Sequence, residues 1–288
     1  MVTVKCVADT RTRTGENPLW HGPSGHLYWS DIPSGHMYRF DPFSKEYERV
    51  YEGPRVGGFT IQKDGSLLLF LEQCAIRTWT PDQGFIDEIN PGLPGEAESR
   101  FNDVVADPEG RVYCGSMPPE GNLYLLDTDG SISVVLENVQ TSNGLGFDPD
   151  LRKLYHAETG AETVWQFDYD RSTGQISDKT AFVDTSDEPG NPDGLTVDRE
   201  GYVWICRWNG GWVTRHHPED GTVTERVELP AKKVTSITFG GVSSDEAYVT
   251  TAVGKDGPDD EGNGAGALFR LRDLPAPGKH EYRSRISL

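Results

Sequence analysis

Residues 142–158 read SNGLGFDPDLRKLYHAE. Two short apolar runs, 145–147 and 154–157, flank Asp148, Pro149 and Asp150, residue types that fix tight turns through side-chain hydrogen bonds and a preset φ. Runs this short, alternating with a period near two rather than 3.6, predict two antiparallel strands. A third run, VWQFDYD (164–170), follows and ends on an acidic turn.

The same unit recurs along the chain. HLYWSDI (26–32), SLLLFLE (66–72), RVYCGSM (111–117), YVWICRW (202–208) and EAYVTTA (246–252) each follow a first apolar stretch and a turn. Third and fourth runs such as MYRFDP and EYERVY come after most of them. One polar or glycine position at the start of each first run aligns Glu16, Gly58, Asn102, Asn143, Asp193 and Ser236, separated by 42, 44, 41, 50 and 43 residues. That is the period of propeller blades. The expectation is an all-β fold, a six-bladed β-propeller with four-stranded blades around a central channel, forming a single domain over 1–288. Radial closure removes the long exposed edges that a linear array of sheets would leave. Residues 3–9 precede the first repeat and are assigned to the last blade, where they lock the ring. Helical solenoids are excluded by the short β-branched and aromatic runs, and WD repeats by the missing Gly-His and Trp-Asp marks.

Composition narrows the function classes. The 288 residues include 46 acidic and 27 basic side chains, for a formal charge of −19, which repels nucleic acid phosphates and anionic lipid headgroups. Neither is an expected partner. The basic residues are 18 Arg and 9 Lys, and an acid-rich, Lys-poor surface suits concentrated salt. No signal-peptide run or membrane span is visible, so a cytoplasmic protein is expected, and the high negative charge makes a monomer the expectation. Cys6, Cys74, Cys114 and Cys206 are widely spaced and read as buried free thiols rather than zinc ligands or disulfides. The acidic run KDGPDDEGNG (255–264) reads as a solvated loop, with a lid as the alternative.

The repeat phase also gathers a site. The first strand of each propeller blade lines the channel, so residues in one phase meet around the axis at one end. Two carboxylates, Glu16 and Asp193, and two carboxamides, Asn102 and Asn143, then converge. Two carboxylates about 4 Å apart repel by about 4 kcal/mol at an effective dielectric of 20, so a proton or a cation must hold them together. Hard oxygen donors without His or Cys point to calcium, magnesium, manganese or a promiscuous divalent site. Asp107, Asp148 and Asp198, five residues further on, are assigned to turns. Arg100, two residues before Asn102, shares its face in an extended segment. It stands there as a donor to a hydroxylated or anionic ligand or as an ion-pair partner of Glu96, Glu98 or another rim acid. Glu120, in SMPPEG, and His156 lie where second strands approach the mouth, Glu120 as a further substrate contact.

GENPLW (15–20), YWSDI (28–32), RFND (100–103), SNGLGFD (142–148), NPDGL (191–195) and GALFR (266–270) together resemble the SMP-30/gluconolactonase/LRE-like family. The likeness spans essentially the whole chain. It implies a six-bladed propeller with one divalent cation in the axial channel, calcium first, with magnesium, manganese, iron(II) or zinc as alternatives. It implies Glu16, Asn143 and Asp193 as metal ligands, Asn102 beside them, Arg100 as the substrate-binding arginine, and Asp193 also as base toward the attacking water. The expected activity is hydrolysis of a sugar lactone to the sugar acid, with the cation polarising the carbonyl. The chain departs from the family in its GEN motif and in the short segment between Met117 and Leu123, where many relatives carry a longer loop. The alternatives are a paraoxonase-like or organophosphate-cleaving hydrolase and a noncatalytic, metal-stabilised binding propeller. GxSxG is absent from the sequence, which argues against a serine hydrolase.

Overall fold

A computed structural model of the chain describes residues 1–118, 121–254 and 258–287. Strand β1 (Thr3–Ala8) comes first, followed by six antiparallel meanders. Blade 1 holds β2 (Gly15–His21), β3 (His26–Asp31), β4 (His36–Asp41) and β5 (Glu46–Glu52). Blade 2 holds β6 (Val56–Ile61), β7 (Leu67–Leu71), β8 (Ile76–Thr80) and β9 (Gly84–Asn90). Blade 3 holds β10 (Phe101–Ala106), β11 (Val112–Ser116), β12 (Leu123–Leu126) and β13 (Ile132–Leu136). Blade 4 holds β14 (Ser142–Phe147), β15 (Lys153–Glu158), β16 (Thr163–Asp170) and β17 (Gln175–Asp184). Blade 5 holds β18 (Asn191–Val197), β19 (Val203–Trp208), β20 (Trp212–His216) and β21 (Val223–Glu228). Blade 6 holds β22 (Lys233–Gly240), β23 (Glu246–Ala252) and β24 (Leu268–Arg272), and β1 pairs with β24 as its outer strand. The N-terminal strand and the last strand of blade 6 thus close the ring within one sheet, as the leftover segment 3–9 predicts.

The inner strands β2, β6, β10, β14, β18 and β22 lie side by side around the axis. Apolar side chains of neighbouring blades fill the spaces between them. Leu19, Tyr28 and Met37 pack with Phe59, Leu69 and Trp79 between blades 1 and 2, and Trp204 and Val213 with Phe239 and Phe269 between blades 5 and 6. Truncating a side chain such as Trp204 to alanine costs about 3–5 kcal/mol.

The aspartates assigned to turns do that work. Asp107 Oδ1 accepts the Glu109 and Arg111 amides at 2.9 and 3.0 Å, Asp198 Oδ1 those of Glu200 and Tyr202 at 3.0 Å each, and Asp148 Oδ1 those of Arg152 and Lys153 at 2.7 Å each. Gly110 and Gly201 close two of these turns at φ 94° and 89°, a region open to glycine without a Cβ clash.

Three expectations change. Cys74, Cys114 and Cys206 are buried free thiols, but Cys6 is exposed. His156 is fully buried rather than at the mouth. Of the run 255–264, residues 255–257 lie outside the described residues; the rest is not simply a solvated loop, since Pro258–Glu261 forms a helical turn, α1, and Glu261 is buried against Lys233. No helix among the described residues is long and apolar enough to cross a membrane.

The C-terminal segment was not anticipated. It crosses one end of the ring, with Gly278 N donating to Ser244 O, Arg199 N to Pro277 O, Lys279 Nζ to Phe147 O, Ser284 N to Ile61 O and Arg285 N to Gly110 O, at 2.8–3.0 Å. Glu281 and Tyr282 of this segment line a small cavity of about 50 Å³ beneath the axial site. Access to the axis is therefore from the opposite end.

Candidate active site

Every inner strand carries a register irregularity at the same height. In β10 Phe101 pairs with Ser116 and Val104 with Cys114, so Asn102 and Asp103 share one opposing residue. In β14 the doubled pair is Asn143 and Gly144, in β18 Asp193 and Gly194, and in β22 Thr235 and Ser236. A bulge of this kind breaks the alternation of faces and re-aims side chains. The glycines after Asn143 and Asp193 answer a packing need. A Cβ on Gly144 would lie 2.2 Å from Leu195 N, and one on Gly194 would lie 2.2 Å from Ser236 Oγ. In blades 1, 2 and 6 the bulges put Asn17, Gly57 and Thr235 in the equivalent position, one residue from the Glu16, Gly58 and Ser236 of the sequence alignment.

Glu16, Arg100, Asn102, Asn143 and Asp193 all line one open cavity of about 600 Å³ at the end of the ring away from the C-terminal segment. The structure thus brings together the described residues that the sequence nominates. Glu120 lies outside the described residues. Glu16, Asn102, Asn143 and Asp193 are each 3–5% exposed. Asn102 Nδ2 donates to Asn143 Oδ1 and to Ser142 O, both at 2.7 Å. Asn143 Nδ2 donates to Thr159 Oγ1 at 2.6 Å, and that hydroxyl donates on to Pro192 O at 2.7 Å. Both amides are therefore fixed by blades 3, 4 and 5 together. Arg100 Nη1 donates to Asn102 Oδ1 at 2.6 Å and to Phe101 O at 2.8 Å. Among the described residues Arg100 forms no ion pair, so the pairing with Glu96 or Glu98 is not made.

Sequence reasoning missed Asp103. Strict alternation turns it away from Asn102, whereas the bulge leaves both at the axis. Asp103 is 4% exposed and its Oδ1 is buried without a hydrogen-bond partner. Burial pushes its carboxyl up to about 7, against the pull of Arg100. Burial, then the charges of Asp193 and Asp103, push Glu16 well above the usual carboxylate range. Burial and Asp103 do the same to Asp193. Glu16 and Asp193 line the open cavity and Asp103 the small cavity beneath it, close enough to share one field, with Arg100 as the cation that offsets it, itself lowered by burial and drawn back up chiefly by Glu16.

This field fits a divalent cation. Its donors are hard oxygens, Asp103 beneath the floor keeps an unpaired buried oxygen, and among the described residues no His or Cys lines the cavity, a chemistry suited to calcium, magnesium or manganese rather than a dedicated zinc site. Among the described residues no three His, Cys, Asp or Glu side chains form a ready-made cage. An amide oxygen such as that of Asn143 would have to complete the donor set. The cavity walls above are mixed: Ile32, Pro33, Met117 and Trp208 supply apolar surface, and Lys233 closes the side next to blade 1.

A closed ring with acids and amides on an axial floor under an open, half-apolar cavity defines a propeller with a small-molecule site. The chain belongs to the SMP-30/gluconolactonase/LRE-like family, whose model matches residues 14–253. It is 42% identical to a pentonolactonase, XacC, of Haloferax volcanii over 302 aligned residues covering all of both chains. It is 32% identical to the regucalcin of Homo sapiens over 297 residues, covering 98% of each. Among solved structures it superposes on a luciferin-regenerating enzyme with a TM-score of 0.92 at 27% identity, covering 99% of this chain and 100% of that one.

Proposed function

We propose that the protein hydrolyses a sugar lactone to the sugar acid, with a five-carbon aldonolactone as the leading substrate class. The observation that carries this reading is the meeting of Glu16, Asn143 and Asp193, buried and short of compensating charge, on the floor of an open cavity. The family membership and the likeness to a pentonolactonase along the whole chain support it. Glu16, Asn143 and Asp193 would hold one divalent cation, calcium first, and a cation bound there polarises the lactone carbonyl.

The chain's own groups do the rest. Asp193 takes a proton from the water as its oxygen bonds to the lactone carbonyl carbon, and returns that proton to the ring oxygen as the acyl C–O bond breaks, which gives the open hydroxy acid. Asn102 has both amide hydrogens committed to Asn143 and Ser142, so it fixes Asn143 and offers a ligand only its Oδ1. Arg100 keeps donors beyond the two hydrogen bonds made by Nη1, and these orient ring hydroxyls. A lactone ester is reactive enough that no covalent nucleophile is required.

The test is proton release in a pH-stat with pentono- and hexonolactones beside an aryl ester and an organophosphate. Stoichiometric acid from a sugar lactone, at rates well above the other two classes, is expected. Preference for the organophosphate, or no hydrolysis with the cation bound, overturns the reading.

A further inference from the structure

One aromatic ring lines the cavity among the described residues: Trp208, at the end of β19. It is partly exposed, and its Nε1 hydrogen bonds to no described residue. Its backbone is firmly placed. Asn191 pairs with Trp208 and Pro192 with Arg207, the pairs just before the bulge that carries Asp193. Arg207, 1% exposed, ties the approach to β18 by donating to Gly190 O from Nε at 3.0 Å and from Nη2 at 2.7 Å. Beside it, the Lys233 ammonium lies 5.6 Å from the indole centroid and is held by the buried Glu261 carboxylate. Arg100, which also lines the cavity, stands on blade 3, two blades from Trp208 around the ring.

We propose that Trp208 is the specificity-determining platform of the site, on which the C–H face of a sugar lactone stacks. A pentonolactone is a flat ring with apolar faces and a hydroxylated rim. A rigid aromatic plate matches the face, and its spare N–H, with Lys233 and Arg100, matches the rim. The plate rises from β19, hydrogen-bonded beside the strand β18 that carries Asp193, so a ring stacked on it is held at a fixed offset from that carboxylate. This rests on the lactonase reading above and adds the residue that selects hydroxylated rings.

The experiment compares wild type, Trp208→Leu and Trp208→Phe in two measurements, steady-state hydrolysis and calorimetric binding of the pentonic acid product. Trp208→Leu should raise KM for a pentonolactone about tenfold with kcat nearly kept, and lower selectivity for it over unsubstituted γ-butyrolactone by a similar factor. Trp208→Phe should recover most of the loss, which a merely structural role would not require. Pentonate binding should weaken in parallel in Trp208→Leu. If wild type binds pentonate, Trp208→Leu binds it about tenfold more weakly, and no lactone is hydrolysed, the platform stands and the lactonase reading falls. If lactone hydrolysis is robust but selectivity and pentonate binding are the same in Trp208→Leu, the platform falls and the lactonase reading stands. If the wild type neither binds pentonate nor hydrolyses lactones, both fall.

Discussion

Asn102 and Asn143 are joined by a hydrogen bond of 2.7 Å from Nδ2 of the first to Oδ1 of the second, across the seam between blades 3 and 4. Residues 41 positions apart in the chain are thereby locked at one height on the axis. The bond orients the Asn143 carbonyl oxygen, the atom an amide offers to a hard cation.

Replacing Asn143 or Asp193 by alanine should lower kcat for sugar lactones at least about a hundredfold, since each removes a donor from the charged centre of the reaction. The fold should persist, because the core lies between blades and away from the axis. Steady-state kinetics beside circular dichroism check this. Near-normal turnover in either variant would remove that residue from the mechanism.

Asp103 adds a third buried carboxyl just beneath the site and keeps an unpaired buried oxygen. Asp103→Asn should stabilise the cation-free protein by about 1–2 kcal/mol by relieving repulsion and buried charge. It should also weaken divalent cation binding about tenfold, the effect of one lost attraction near the ion. Thermal melts without cation and calorimetric titration with calcium read the two effects. Unchanged cation affinity would show that Asp103 lies outside the binding field.

His156 is fully buried, with Nε2 against Ser142 Oγ at 2.8 Å and Nδ1 unpartnered. Burial lowers its pKa to about 4, chiefly by penalising the charged ring. The unfolded chain therefore binds this proton first as pH falls. Stability from His156 is complete above its ordinary value of 6.5 and is lost between 6.5 and 4, by on the order of 3 kcal/mol. His156→Gln should flatten the fall in unfolding free energy between pH 7 and pH 4.5. An identical acid slope in the variant would assign the acid sensitivity elsewhere.

Strand β1 covers the free edge of β24, with Thr3 opposite Arg272 and Cys6 opposite Phe269. Deleting residues 1–8 should lower the melting temperature by on the order of 10 °C and promote association through the opened edge. Scanning calorimetry and light scattering would detect both. A truncated chain melting like the whole one would show that the ring needs no lock.

The ring was legible because a period near 44 residues, turn aspartates at constant offset and a leftover strand all point to one closed solution. The floor was legible through the same phase, which gathered Asn102, Asn143 and Asp193 at one bulge position and Glu16 one residue ahead of it. Asp103 was not. Alternation assigns successive residues to opposite faces, and only the bulge, a tertiary accommodation at the crowded axis, turns both Asn102 and Asp103 inward. Trp208 and Lys233 were hidden for a related reason, since they begin or end strands at the mouth and no phase marks the walls. Glu261 sits in a strongly acidic run, where composition favours solvent, yet its pairing with Lys233 buries it. The C-terminal cap carries no repeat, and its backbone bonds to turns of separate blades leave no pattern in the chain.

The most direct test is a titration of exhaustively demetallated protein with calcium, following pentonolactone hydrolysis and bound metal together. Activity should be absent at the start, rise in proportion to bound cation and level off at one equivalent, with Asp193→Ala neither binding tightly nor recovering. Full-rate hydrolysis by metal-free protein, or one tightly bound equivalent in Asp193→Ala, would contradict the account.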